Sequence, residues 1–116
     1  MNAEDVLISV LETFNFPVKR QGSLLDNEPY PDNFFTFWNS SSISERFYDN
    51  AENTFIYDFD VNFYSNDPAA VYSTLRAAIK KLKAAGFIIS GDGHDIASDE
   101  KTHDGRGISC VYVEKL

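Results

Sequence analysis

Two carboxylates, Asp58 and Asp60, stand two residues apart in the segment IYDFDVNFYSNDP, residues 56–68. Side chains alternate along a strand, so both acids point to one face, about 7 Å apart. Carboxylates at that separation can share a metal ion or divide general acid and base roles. They then need a third ligand or a shifted pKa inside a cleft. The sequence supplies no such group at matching spacing, and a solvated strand face accounts for the acids more simply. Ile56 and Tyr64 share that face with them. Apolar residues at both ends of an acidic strand face point to a surface partly covered by another subunit.

A second concentration of chemistry lies in SGDGHDIASDEKTHDGRG, residues 90–107, which holds His94, His103, Asp92, Asp95, Asp99, Glu100 and Asp104. The acids do not alternate ahead of a glycine and a distal glutamate, as a calcium loop requires. Gly91 and Gly93 lack the third glycine of a dinucleotide fingerprint, because Ile96 stands in its place. The stretch reads as a solvated, turn-rich loop. A small metal-dependent hydrolase using Asp58, Asp60 and His94 or His103 is the enzymatic alternative. With no Ser-His-Asp, Cys-His or phosphate-cradling pattern in the sequence, the expectation is a protein that is not an enzyme and holds no metal or cofactor.

Arg76, Lys80 and Lys83 form a basic row beside Tyr72, on the border of a helical apolar stripe. Late lysines suit the negative end of a helix dipole, and a solvated face explains the row. In an acidic chain the row also suits the acidic surface of an identical neighbour. A contact between unlike patches of like subunits closes into a ring when the rotation permits.

These residues need elements to hold them. At 116 residues, 43% hydrophobic and 15% aromatic, the chain reads as a single domain over 1–116 with a true core. A net charge of −8 opposes any grip on nucleic acid. The single cysteine, Cys110, excludes an intramolecular disulfide and a Cys-rich zinc site, and reads as a buried hydrophobe. No run approaches the ~18 apolar residues that span a bilayer. The start MNAEDVLISV lacks a basic leader, so the expected compartment is a cytoplasm.

Ala3, Val6, Leu7, Val10, Leu11 and Phe14 recur at helical spacing, with Asn2 as cap and Pro17 as stop. VKRQG suggests a short edge strand, GSLLDNEPYPDN a loop, and FFTFWN (34–39) a strand that is aromatic on both faces. Residues 54–65 alternate Tyr57, Phe59, Val61 and Phe63 against Asp58, Asp60 and Asn62, the strongest strand pattern in the chain. These two strands suggest a long hairpin whose polar tip, 39–53, is mobile. Phe47 and Tyr48 in that tip would anchor it on a partner. Asp67 and Pro68 open a second helix, Val71, Leu75, Ala78, Ile79 and Leu82 line it, and Gly86 ends it. FIIS and ISCVYVE are the closing strands, separated by loop 91–107. The expected fold class is α+β: a mostly antiparallel sheet of four to five strands, two helices packed on one face, and a long β-hairpin with a mobile tip.

The order of elements in TFIYDFDVNFYSNDPAAVYSTLRAAIKKLKAAGF, residues 54–87, resembles the tail terminator proteins of long-tailed bacteriophages and prophages, also called tail completion or tail-to-head joining proteins. FFTFWN and GRGISCVYVE fit the same pattern, so the likeness covers roughly residues 30–114. It is a likeness of pattern and order. The resemblance implies a hexameric ring that caps the tail tube, stops its polymerisation and meets the head connector or stopper. It implies a virion protein assembled in the bacterial cytoplasm, with no catalytic residues and no cofactor. Head-closure, neck and minor capsid proteins share the style of fold. DNA would pass through such a ring without being bound specifically. Acidic groups such as Asp92, Asp95, Asp99 and Asp104 along a channel would keep that path slippery.

Overall fold

Strict alternation of apolar residues fixes the middle of the molecule. In the computed structural model Phe59, Val61 and Phe63 are fully buried on one side of strand β3, Asn53–Ser65. The structure describes residues 3–20, 31–46, 53–89, 91, 93–96 and 102–115, apart from the side chains of 40–46, 53–55 and 115. β3 pairs antiparallel with β2, Asn33–Arg46, on one side and with β6, Asp104–Lys115, on the other. The register sets Phe37, Val61 and Ile108 side by side, with Phe35 beside Phe63 and Phe59 beside Cys110. Because the side-chain period is two, a slip of one residue would turn this whole set to the opposite face.

Two helices cover that face. α1, Ala3–Glu12, contributes Ala3, Leu7 and Leu11, and α2, Pro68–Ala84, contributes Leu75, Ala78, Ile79 and Leu82, all joined to the strand residues in one core, and Val71 of α2 is buried as well. Each large aliphatic or aromatic side chain so buried stabilises the fold by about 1.5–3 kcal/mol. The start of α2 is built as its sequence suggests: Asp67 Oδ1 accepts from the Ala69 N–H at 3.1 Å, and Pro68 occupies the first turn. Its end is equally defined. The Gly86 N–H donates to Lys83 O at 3.1 Å and the Phe87 N–H to Leu82 O at 3.0 Å, with Gly86 at φ 103°. This paired closure satisfies the last carbonyls and requires a left-handed residue, which glycine supplies without strain. Lys81 Nζ donates to Thr13 Oγ1 at 2.9 Å and lies 4.6 Å from the Phe14 ring centroid, so it fastens the end of α1 to α2.

The remaining strands are short. β1, Val18–Arg20, runs parallel to β2 at Phe35–Phe37 and is tied to α1 by the Arg20–Glu4 ion pair. β4, Ile88–Ile89, and β5, His94–Ile96, share one edge of β6. Among the described residues the sheet therefore has six strands in the order β1-β2-β3-β6-β4, with β5 beside β6, and only the β1–β2 pair is parallel.

The α+β class, the mostly antiparallel sheet and the placement of both helices match the expectation; the sheet has six strands where four to five are expected, and three boundaries differ. β2 continues to Arg46, with a register irregularity between Asn39 and Ser41 carrying it past the polar stretch. β6 starts at Asp104 and not at Ile108, and β5 lies inside the expected loop 91–107. Gly105 and Gly107 account for both strand differences. A Cβ on Gly105 would stand 2.8 Å from Tyr64 Cδ1 and from Ile96 Cγ1, so bare backbone is what lets these neighbours close over it. Of the expected mobile tip 39–53, residues 39–46 and 53 are strand, paired between β2 and β3, while 47–52, with Phe47 and Tyr48, lie outside the described residues, as does Asn2.

Candidate interaction surfaces

The face of the sheet turned away from the helices carries Ile56, Asp58, Asp60, Asn62 and Tyr64 from β3, as the alternation requires. Register places Phe34, Thr36 and Trp38 beside Tyr64, Asn62 and Asp60 on one flank. Gly105, Gly107, Ser109, Val111 and Val113 lie beside Tyr64, Asn62, Asp60, Asp58 and Ile56 on the other. Ile88 of β4 follows beyond Val111.

The two ends of this face differ. At the Tyr64 end the chain covers itself: Phe34 is buried, its ring stacks on Tyr64 at 5.1 Å, and the His103 ring meets it edge-on at 6.2 Å. His103 is buried too, with Nε2 2.8 Å from Pro31 O and Nδ1 2.9 Å from Thr102 Oγ1. A ring that donates from Nε2 and accepts the threonine hydroxyl at Nδ1 satisfies both contacts. Packing within the subunit thus accounts for the apolar ring of Tyr64. His103 fastens the entry of β6 to the start of β2.

At the other end the carboxylates sit in an apolar field. Asp58 and Asp60 are half-buried, and Ser109 Oγ donates to Asp60 Oδ1 at 3.0 Å. Around them Trp38 is 49% exposed, Ile88 59% and Val113 41%, with Val111 and Ile56 half-buried. Three exposed large apolar side chains grouped on one sheet face form a patch of the kind that marks interaction sites. The sequence reading picked Ile56 and missed Trp38, Ile88, Val111 and Val113. The signal was present in ISCVYVE, where Val111 and Val113 alternate with Cys110 and Tyr112, so both faces of the strand are apolar.

Behind the acids, Cys110 is buried on the helix side, and its thiol is pushed up to about 12 by burial first and then by the negative charges of Asp60 and Asp58. A neutral, enclosed thiol is a poor nucleophile. A thiol reagent near pH ~8 should leave Cys110 unmodified in the folded chain and label it in concentrated guanidinium. Rapid labelling of the folded chain would contradict this placement. The unfolded thiol ionises near its ordinary 9.0 and the folded one only at about 12. Its contribution to stability is therefore intact below pH 9 and is lost as the pH rises from there toward 12.

The residues of the hydrolase alternative are not brought together. His94 is exposed on β5, two strands from Asp60 across β6, and His103 is committed to Pro31 and Thr102. Among the described residues no three His, Cys, Asp or Glu side chains are grouped as metal ligands. Asp95 and Asp104 of the acidic loop are exposed, and Asp92, Asp99 and Glu100 lie outside the described residues.

Arg76, Lys80 and Lys83 are exposed along one flank of α2. They line a cleft of about 540 Å³ whose other walls include Ala77, Ile79 and Gly91. The Arg76 guanidinium lies 4.9 Å from the Tyr72 ring centroid, and that of Arg106 approaches the same ring at 4.9 Å. Arg106 Nη1 donates to Asp95 at 2.8 Å and Nη2 to Gly93 O at 3.1 Å, which holds β5 and its turn against α2. α2 carries four basic residues and no acidic one, leaving 6 basic against 18 acidic residues elsewhere. The charge of the chain is segregated: one helix is positive and the rest strongly negative.

The sequence matches no protein-family model and no curated protein. No described helix is long and apolar enough to cross a membrane.

Proposed function

We propose that this chain is a structural virion subunit of the tail-terminator type, acting as a ring, expected to be hexameric, at the end of the tail tube. The observation that carries the reading is the pair of unlike surfaces on one small domain: an apolar sheet face set with two acids, and a basic helix flank. A subunit with two complementary patches is suited to assembly with its own kind. The order of elements over residues 30–114 supports the same assignment by resemblance. In this reading the ring stops polymerisation of the tube protein and presents a surface to the head connector or stopper. DNA passes through and is not bound specifically, consistent with the net charge of −8.

The test is electron microscopy of particles assembled without this chain. Overlong tubes and unattached heads are the expected result. Tails of normal length would reject the terminator role, and filled heads that leak DNA would assign the chain to head closure instead.

A further inference from the structure

Resting on this assembly reading, the geometry points to a specific contact: we propose that the sheet face around Asp58 and Asp60 of one copy seats on the α2 cleft of the next. The two surfaces match in chemistry. The sheet face offers Ile88, Trp38 and Val113 as exposed apolar groups, with Asp58 and Asp60 among them. The cleft offers Ala77 and Ile79 as apolar wall and Arg76, Lys80 and Lys83 as a basic margin. Apolar area is removed from water on both sides, and each acid meets a base as it is desolvated. Desolvation of a carboxylate is favourable only with such a partner.

Charge argues for a second copy as the occupant. Two chains of net charge −8 repel one another in most orientations. The orientation that brings the positive α2 of one against the acidic sheet face of the other reverses the sign of that interaction. Lys81 is already engaged with Thr13 and Phe14, and Arg20 with Glu4 and Phe37. Among the described residues Lys80 and Lys83 have no carboxylate partner in an ion pair. One surface belongs to the helix layer and the other to the opposite face of the sheet, so the contact is head-to-tail. Such a contact propagates, and it closes into a ring when the rotation per subunit divides the circle.

The experiment is a charge exchange read by sedimentation velocity over a concentration series. Emission from Trp38, the sole tryptophan, reports burial of the sheet face. The wild-type chain is expected to associate at high concentration and low salt, with a blue shift of Trp38, and to dissociate as salt is raised. Lys80→Glu with Lys83→Glu should weaken association on the order of 100-fold, and so should Asp58→Lys with Asp60→Lys. A chain carrying all four changes should regain it. Asp58→Asn with Asp60→Asn, which keeps the shape of the face, should weaken association in the same direction. Association that ignores these reversals would overturn the contact while leaving the ring reading to the tail-length test. A wild-type chain monomeric at millimolar concentration yet bound to tail tubes would overturn it too, and would give the face to the tube protein.

Discussion

Phe63→Ala is expected to destabilise the subunit by about 3–5 kcal/mol. Phe63 is fully buried near the C-terminal end of β3, with ring centroids of Phe35 at 4.7 Å and Phe16 at 5.7 Å. It joins the sheet to the segment after α1, so its removal leaves a cavity between layers that the surrounding aromatics fill only in part. Domains of this size have about 5–15 kcal/mol in total. The variant should therefore lie close to its unfolding threshold at moderate temperature. The check is the midpoint of urea unfolding against that of Phe63→Leu, which retains most of the buried volume and should lose far less. A shift equivalent to under ~1 kcal/mol for alanine would mean that the helices do not close over β3 as described.

That prediction follows from the sequence, because the buried side of β3 is legible there. Phe59, Val61 and Phe63 alternate with polar residues, and only one face of such a strand can be buried. α2 is legible for the same reason, with Asp67 and Pro68 opening it and Gly86 closing it. β5 and the first turns of β6 are not. The alternation of β6 is broken by Gly105 and Gly107, and the side chains that complete its face come from Tyr64 and Asn62 of β3 and Ile96 of β5, itself only three residues long. A strand whose neighbours supply its covering shows no period of its own.

The candidate surfaces divide along the same line. Asp58 and Asp60 are placed on the outer face by alternation alone, and Arg76, Lys80 and Lys83 fall on one helix flank by spacing alone. Their surroundings depend on register. Only the pairing of Asp60 with Trp38, and of Asp58 with Val111 and so with Ile88, shows that the acids stand in an apolar field. Only the return of the chain through Gly91 makes a cleft beside the basic row. Tyr64 shows the converse: its place beside the acids suggests an external cover, and Phe34 and His103 supply an internal one.

Leu75→Ala separates the role of α2 in folding from its role as a surface. Leu75 is fully buried, and its Cδ2 lies 3.2 Å from where a Cβ on Gly93 would stand, so it wedges between the core and the turn into β5. Its truncation should cost about 2–5 kcal/mol, whereas Leu75→Met, which keeps the volume, should cost less than about 1.5 kcal/mol. Unfolding midpoints of the two variants measure this, and an unchanged midpoint for alanine would show that α2 is not seated on the sheet through this residue. The comparison with Lys80→Glu and Lys83→Glu carries the functional point. Those side chains are exposed, so each change should move stability by no more than about 0.5 kcal/mol. Leu75→Ala should lower stability and self-association together, because the cleft loses its wall as the helix loosens. The lysine reversals should weaken self-association on the order of 100-fold in a subunit that unfolds near the wild-type midpoint. A helix that served only to cover the core would show the first behaviour and not the second.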